Sequence, residues 1–249
     1  MPPYAVFAAF YDQLVAVHRP MFEKARRRIL GRLFGRVRLA CDLCAGTGTT
    51  ALELARGGSM RVYAVDASPQ MCGVARAKAR RAKLPVQVIE ADMRSFRLPE
   101  PVDLVTCEFD AINHVPRKQD LERVARAVAR ALRPGGHFLF DANTRRSFRE
   151  VWPMNLVTEG RGFFLAACGG YDARRDKGWT VCEWFFPAGK SWRRVTERYE
   201  EVAWSKSEIR RVLGKAGLRV VRTWDQTQFA RGRPWLKPGC RIFWLARKQ

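Results

Sequence analysis

A short apolar segment that runs directly into a glycine turn and a helical pattern constrains this chain more than any other feature. Residues 39–50 read LACDLCAGTGTT. Gly46 and Gly48 permit a tight turn and a close approach of the backbone to a ligand, because glycine has no Cβ atom. The helix behind them offers unpaired N–H groups in its first turn. The segment therefore predicts a ligand cradle between the first strand and its helix.

An acidic residue follows at the spacing of a nucleotide site. Asp66 ends the apolar stretch VYAVD. It comes about 20 residues after the glycine turn, where a carboxylate binds ribose hydroxyls in nucleotide-binding folds. Ala51 completes a Gly-x-Gly-x-x-Ala spacing. The turn and the acid by themselves therefore leave a dinucleotide oxidoreductase open as an alternative.

Apolar runs and helical patterns alternate through the first part of the chain. Predicted strands cover residues 37–43, 61–66, 86–90, 102–108 and 137–141, and predicted helices cover 49–56, 69–82 and 121–132. This alternation favours an α/β fold that is Rossmann-like and doubly wound, with a mostly parallel sheet covered on both faces.

The character of the sequence changes after residue 144. Residues 145–204 are rich in tryptophan, phenylalanine and glycine, and they alternate like strands at 179–186 and 192–202. This pattern predicts an antiparallel β insertion. A helix over 205–216 and strands over 218–224 and 241–246 follow, with Pro234, Pro238 and Gly239 in the loop between the strands. We therefore divide the chain into N-terminal helices and a cofactor-binding core (1–144), the insertion (145–204), and a C-terminal helix with the last two core strands, including an antiparallel one (205–249).

Two further motifs narrow the family. Asp92 and Met93 come just after the third predicted strand, and Leu-Arg-Pro-Gly-Gly at 132–136 precedes the fifth. Together with the first-strand acid, the glycine turn and the ribose-site acid, this set resembles the class I S-adenosylmethionine (SAM)-dependent methyltransferases. The resemblance is strong over residues 37–141 and looser over 205–248. It implies SAM as cofactor and S-adenosylhomocysteine (SAH) as product.

Two segments are similar to those of small-molecule methyltransferases, including the sugar N-methyltransferases. They are CEFDAINHV at 107–115 and the pair Tyr11-Asp12, which in those enzymes closes over the cofactor. The Asn/Asp-Pro-Pro-aromatic motif typical of methyltransferases that act on base amines is missing, and Cys107 lacks the Pro-Cys context of 5-methylcytosine enzymes. The resemblance therefore implies methyl transfer to a nitrogen or oxygen atom of a small molecule.

The resemblance also implies roles for individual residues. Asp42 and the glycine turn would face the methionine part of SAM, and Asp66 would hold the ribose hydroxyls. Asp92 would accept a hydrogen bond from the adenine amino group while Met93 packs on the ring; for Asp92 a turn cap is the alternative. The full set of predicted cofactor-binding residues is Tyr11, Asp42, Ala45, Gly46, Thr47, Gly48, Asp66, Ala67, Asp92, Met93 and Glu108.

The acceptor site is predicted beyond the fourth strand. His114 is the candidate general base, because an imidazole titrates in the range needed to take a proton from the nucleophile; a positioning or packing histidine is the alternative. The insertion is expected to roof the acceptor pocket or to form an oligomer contact. Tyr171, Trp179, Trp184 and Trp192 are predicted to line the pocket, or else to pack within the β-surface.

A net charge of +22, carried mainly by arginine, is the most unusual bulk property. It indicates either GC-rich codon usage or an anionic partner such as RNA or a phosphorylated substrate. A basic amphipathic helix is predicted over residues 18–36, as a solvated face or an RNA-facing surface. Its arginines are Arg26, Arg27, Arg28, Arg32 and Arg36. An RNA methyltransferase and a catalytically silent SAM- or SAH-binding module are therefore the alternative functions.

Cysteine usage and hydropathy limit the classes of protein that remain possible. The seven cysteines show no disulfide spacing. The pair Cys41-x-x-Cys44 lacks the partners that a zinc site needs, so no metal is predicted. No apolar run approaches the roughly 20 residues of a membrane span, and the N-terminus has no basic signal-peptide region. We therefore expect a cytoplasmic protein without a transmembrane segment.

Overall fold

Two β-sheets organise the chain. The structure is a computed structural model that describes residues 6–56, 60–230 and 236–249; Pro234 of the predicted loop lies outside them. Numbered along the chain, the strands are β1 (Leu39–Leu43), β2 (Arg61–Asp66), β3 (Val86–Glu90), β4 (Val102–Cys107), β5 (Leu132–Asn143), β6 (Asn155–Gly160), β7 (Phe163–Asp172), β8 (Lys177–Ala188), β9 (Ser191–Val202), β10 (Leu218–Asp225) and β11 (Arg241–Lys248).

The larger sheet has seven strands in the order β10-β11-β5-β4-β1-β2-β3. Strand β11 is antiparallel to both of its neighbours, while the pairs among β1 to β5 are parallel. Every residue of β1 and β4 is buried, because helices cover both faces of the sheet. The predicted doubly wound, mostly parallel sheet with a C-terminal antiparallel strand is confirmed.

Several of the helices that flank the sheets begin at recognisable sequence signals. The helices are α1 (Phe7–Val15), α2 (Arg19–Leu30), α3 (Thr49–Ala55), α4 (Pro69–Ala82), α5 (Lys118–Ala131), α6 (Arg145–Glu150) and α7 (Lys206–Lys215). At the start of α4 the Ser68 side chain accepts from the Met71 N–H, and Pro69 occupies the first turn. Ser205 and Glu208 form a capping box at the start of α7.

The predicted basic helix over residues 18–36 is shorter than expected. Helix α2 ends at Leu30, and the chain continues as a 3₁₀ segment over Gly31–Arg36. Gly31 has a φ of +44°, which a continuing α-helix does not accommodate. The periodicity alone did not reveal this end, because Ile29 and Leu33 keep the helical spacing across the glycine.

The smaller sheet contains β6, β7, β8 and β9 in that order, all antiparallel. It is the predicted β insertion. Its packed face centres on Trp184, and α1 covers that face: the rings of Phe7 and Phe10 lie 5.6 and 5.8 Å from the Trp184 ring. Helix α6, at the start of the insertion, was not predicted; its one evident signal is the Thr144 side chain, which accepts from the Ser147 N–H. Helix α1 therefore connects the insertion to the core.

The carboxyl ends of the parallel strands position the site. In an open parallel sheet the loops that follow the strands meet along one edge, and ligands bind in the crevice outside it. Helix α1 and the packed face of the smaller sheet lie over this edge. Within the described residues, no helix is both long and apolar enough to cross a membrane.

Candidate cofactor and acceptor site

Two adjoining cavities lie at this edge. The first, here called the cofactor cavity, has a volume of about 530 Å³. Among the predicted cofactor residues it is lined by Tyr11, Gly46, Asp66, Ala67, Asp92, Met93 and Glu108. Asp42 and Ala45 line a small side chamber of about 20 Å³ that shares Tyr11 and Glu108 with it. Thr47 and Gly48 line neither space.

The glycine turn is held in place by Asp66. Gly46 and Gly48 have φ values of +54° and +76°, in the region that glycine favours. The Gly46 N–H donates to Asp66 Oδ2 at 2.8 Å, and the Ser68 N–H donates to Asp66 Oδ1 at 2.9 Å. Each carboxylate oxygen can accept a second hydrogen bond beside the one named here, so both retain capacity for a ligand. Gly48 serves packing instead: a Cβ there would lie 2.9 Å from the Ala75 Cβ.

Asp42 carries an unsatisfied buried oxygen. Its Oδ1 accepts from the Thr106 hydroxyl at 2.8 Å, but its Oδ2 has no hydrogen-bond partner. Burial, with a further contribution from the Glu108 carboxylate, raises the pKa of Asp42 to about 7. A buried carboxylate in this state is stabilised by a nearby cation. The chamber is therefore suited to a positively charged group.

Arg26 is not part of a basic surface, and this prediction was wrong. Its side chain is only 3% exposed and forms ion pairs with Glu108 and Glu53. It lies on the same helix face as Phe22 and Ile29, which are buried at three- and four-residue spacing. Arg26 thereby supplies the cation that two acids beneath the glycine turn require.

Two other arginines of the predicted stripe do lie at the surface. Arg27 is 76% exposed and pairs with Glu23 of its own helix at 2.8 Å. Arg28 is exposed and donates to the Gln228 carbonyl at 3.2 Å. The exposed arginine stripe therefore includes Arg27 and Arg28 but not Arg26, which pairs with the buried acids.

Asp12 ties α1 to the glycine turn. Its carboxylate accepts from the Thr47 hydroxyl at 2.7 Å, the Thr49 hydroxyl at 3.0 Å, Lys78 Nζ at 2.6 Å and Arg19 Nη2 at 3.0 Å. Burial alone would raise its pKa, but the bonds from Lys78 and Thr47 hold the pKa of Asp12 below its usual value. These contacts hold the preceding residue, Tyr11, against the turn and between the two cavities.

Asp92 and Met93 lie at the far wall of the cofactor cavity. The Arg94 N–H and the Arg94 side chain donate to Asp92 Oδ1 at 2.7 and 2.9 Å. Both proposed roles of Asp92 therefore have support, since it caps this turn and also faces the cavity. Met93 contacts the Cys44 thiol, 3.6 Å from Sγ to Sδ. Their roles toward adenine stay predictions.

The second cavity has a volume of about 860 Å³ and lies between α1, α2 and the smaller sheet. Tyr11, Phe109 and His114 line both this space and the cofactor cavity. The two cavities therefore adjoin at these three side chains. The volume is within the usual range of small-molecule pockets.

Acidic groups cluster where the cavities meet. Asp110, Glu201 and Arg241 line the second cavity, and Asp141 is fully buried behind them. Arg241 pairs with Asp141 and, at 3.3 Å, with Asp110. Burial raises the pKa of Asp141 to about 7, and burial together with Asp110 raises the pKa of Glu201. One guanidinium thus faces three carboxyl groups, so the cluster is short of positive charge.

The turn that carries Asp110 is strained. Phe109 and Asp110 have φ values of +60° and +53°, which non-glycine residues rarely adopt. The Asp110 N–H donates to Asp141 Oδ2 at 3.0 Å, and the Phe109 ring stacks on Phe22 at 3.9 Å between centroids. Such strain concentrates at functional sites, where surrounding contacts maintain it.

His114 lies beside this cluster. It ends a 3₁₀ turn over Ala111–His114, and its Nε2 is 3.7 Å from Glu201 Oε1. Burial lowers the pKa of His114, against smaller opposing effects of Asp110 and of a hydrogen bond with the Glu200 backbone. The imidazole is therefore neutral near pH 7 and able to accept a proton. Its role as a base stays a prediction.

The aromatic side chains predicted to line the acceptor pocket lie elsewhere. Trp184 is 0% exposed, in the core between the smaller sheet and α1. Tyr171 bonds to Asp176, and Trp179 and Trp192 are exposed. None of the four lines the second cavity. The assignment is corrected accordingly, because strand alternation showed that the faces differ but not which of them meets α1.

The acidic cluster was missed by sequence reasoning. Asp110 lies in the same segment as His114 and could have been considered with it. Glu201 sits in a strand in which arginine and glutamate recur, so its burial had no local signal. Arg241 begins the last strand and meets Asp141 only through the β5–β11 pairing.

Comparisons with known proteins agree with this geometry. Residues 40–136 match the family model described as a methyltransferase domain. Ubiquinone biosynthesis O-methyltransferase of Photorhabdus laumondii is 29% identical over 147 residues, 58% of each chain. A SAM-dependent methyltransferase from Clostridium acetobutylicum has a similar structure, with a TM-score of 0.81 at 23% identity over 98% of both chains. The sugar N-methyltransferase KedS8 from Streptoalloteichus gives a TM-score of 0.73 at 21% identity, over 90% of this chain and 85% of that one.

Residues 40–136 thus match a methyltransferase domain. The family model and the similar structure support the predicted family and its cofactor, SAM. The described residues fit it: the unpartnered Asp42 Oδ2 suits the methionine amino group, and the Asp66 oxygens suit two ribose hydroxyls. The chain spans about three fifths of the length of the curated relative described above and of similar ones.

The ion pairs of Arg26 predict a large loss of stability on substitution. Arg26→Met leaves Glu108 and Glu53 without their cation in a buried setting. We expect the free energy of unfolding in urea to fall by about 3–5 kcal/mol, the scale for breaking a buried pair. Arg27→Met, at the exposed neighbouring position, is the control and should change it by less than about 0.5 kcal/mol. Equal losses in the two variants would contradict the assignment.

The contacts of Asp66 predict a specific loss of cofactor affinity. Asp66→Ala should weaken SAM binding by about 1.5–3 kcal/mol in calorimetry, the scale for hydrogen bonds to a charged group. Glu90→Ala is the matched control, because Glu90 pairs with Asp66 in register at the end of the next strand but lies outside the cofactor cavity. A folded Asp66→Ala protein with unchanged affinity would remove Asp66 from the site.

Proposed function

We propose that the chain transfers the methyl group of SAM to an amine nitrogen of a small molecule. The observation that carries this proposal is the acidic cluster beside His114, at the junction of the two cavities. An amine in water is protonated, and a cationic head group supplies the positive charge that Asp110, Asp141 and Glu201 require. A phenol, alcohol or carboxylate does not supply it.

The acidic cluster would bind and orient the amine. Glu201 and Asp110 face the second cavity and would accept hydrogen bonds from an ammonium group. Asn143 supports them: its side-chain nitrogen bonds to Asp110 and lies 3.5 Å from Glu201 Oε2. Binding of a cation would favour the ionised carboxylates, so it would be coupled to proton release from the cluster.

His114 would then act as the general base. When bound, SAM supplies a methyl group on a positively charged sulfur. The nucleophile must be neutral, so one N–H proton of the ammonium moves to a ring nitrogen of His114 before attack and leaves the lone pair that forms the new bond. The new N–CH₃ bond replaces the S–CH₃ bond, and SAH leaves. Glu201, 3.7 Å from Nε2, would stabilise the imidazolium that forms.

The names of similar proteins are compatible with an amine acceptor but do not distinguish it from an oxygen acceptor. The structural neighbour KedS8 is named a sugar N-methyltransferase, while the Photorhabdus relative is named an O-methyltransferase. The difference between the two chemistries lies in the acceptor site. In this chain the shortage of cationic groups in that site favours an amine.

The other predicted partners have less support. Arg26, one of the five arginines proposed to face RNA, is buried. An anionic partner for the remaining charge, an oligomer contact through the smaller sheet and a cytoplasmic location all stay predictions. No observation of the described residues favours an RNA acceptor over a small molecule.

The position of His114 predicts the pH dependence of turnover. Burial lowers its pKa below the usual 6.5, so kcat for an amine acceptor should rise with pH through an apparent pKa under that value. His114→Ala should lower kcat by about 10²–10⁴ and abolish the rise of kcat with pH, because the neutral imidazole is the form that accepts the proton. SAM affinity should hold.

His137→Ala is the matched histidine control. His137 lies on β5, outside both cavities, and its substitution should leave kcat and the pH profile unchanged. A positioning role for His114 predicts a raised acceptor KM, a modest change in kcat and an unchanged rise of kcat with pH. A His114→Ala enzyme with near-wild-type kcat would end the general-base assignment.

A further inference from the structure

The second cavity combines an acidic end with predominantly apolar walls. Helix α1 contributes Phe7 and Leu14, and α2 contributes Met21. The smaller sheet contributes Leu156 and Leu165. Polar side chains also line the cavity, but the surfaces of both helices and the sheet that face it present mainly carbon.

Cations are scarce in the same lining. Among the described residues that line the second cavity, Arg241 is the one arginine, and there is no lysine. Its guanidinium is already paired with Asp110 and Asp141. Glu159 adds a further acid. A phosphate or diphosphate on the acceptor therefore finds no uncommitted arginine or lysine among these residues, and meets carboxylates instead.

We infer that the acceptor is an amine with an extended apolar body, an alkyl or aryl-alkyl amine, rather than a polyhydroxylated or phosphorylated one. This inference rests on the proposed N-methylation. The ammonium end lies against Asp110 and Glu201 near the cofactor, and the apolar body extends along α1 and the inner face of the smaller sheet. Hydroxyl groups of a sugar would lose water along these walls without equivalent partners.

The first test compares defined amines in steady-state turnover with SAM, with SAH release and product mass as readouts. In a series of n-alkylamines from butylamine to decylamine, kcat/KM should rise about fourfold per methylene, the ratio expected for burying one CH₂ group, until the cavity is filled. Cyclohexylamine should be preferred over glucosamine, which places the amine on a ring of the same size covered with hydroxyls.

Two neighbouring positions provide matched variants. Leu156 lines the second cavity, while Val157, next to it on β6, points to the opposite face. Both are exposed, 43% and 65%, so an aspartate at either position is compatible with folding. Leu156→Asp should strongly lower one ratio, that of kcat/KM for decylamine divided by kcat/KM for butylamine. Val157→Asp should leave this ratio unchanged.

Binding to the SAH complex separates this inference from the proposed function. If no amine is methylated but the SAH complex binds decylamine more tightly than butylamine in calorimetry, N-methylation fails and the apolar site stands. If glucosamine is methylated as well as cyclohexylamine with no dependence on chain length, N-methylation stands and the apolar acceptor is overturned. Equal affinity for all amines, or no binding of any, also overturns it.

Discussion

The buried ion pairs of Arg26 are the interaction on which the site depends. Arg26 reaches from α2 to Glu53 on α3 and to Glu108 at the end of β4, and so joins three elements beneath the glycine turn. Without this guanidinium, Asp42, Glu53 and Glu108 would place three acids in a poorly hydrated space. With it, the acids stay close together and leave one unsatisfied oxygen, on Asp42, for a cationic ligand. Arg26, a basic residue, therefore stabilises a site whose other charged groups are acids.

The same arrangement recurs at the acceptor side. Arg241 pairs with Asp110 and Asp141, as Arg26 pairs with Glu108 and Glu53, and in each case the acids outnumber the cation. The proposed reaction brings two cationic ligands to these sites, SAM with its sulfonium and amino group and the acceptor bound as an ammonium. Helix α1 links the two sites, because Asp12 bonds to the glycine turn while Phe7 packs on the smaller sheet.

Local patterns predicted the cofactor half of the molecule. The glycine turn, Asp66 and the strand–helix alternation depend on residues close in sequence, so spacing and hydropathy were sufficient to place them. Arg26 and Glu108 are 82 residues apart, and their pairing follows only from packing α2 against the sheet. Strand alternation likewise located the insertion but not the face that meets α1, which is why Trp184 was placed in the pocket rather than in the core. Glu201 had no local signal at all.

The central claim is that cofactor and amine meet at the junction marked by Tyr11, Phe109 and His114. A crystal structure of the SAH complex with octylamine tests it most directly. The account predicts the amine nitrogen among Asp110, Glu201 and His114, roughly 3–3.5 Å from the position of the transferred methyl carbon and so roughly 5 Å from the SAH sulfur, as in a near-attack arrangement. The alkyl chain should lie along α1 and the smaller sheet. An amine bound outside the second cavity, or an SAH sulfur turned away from His114, would contradict the account.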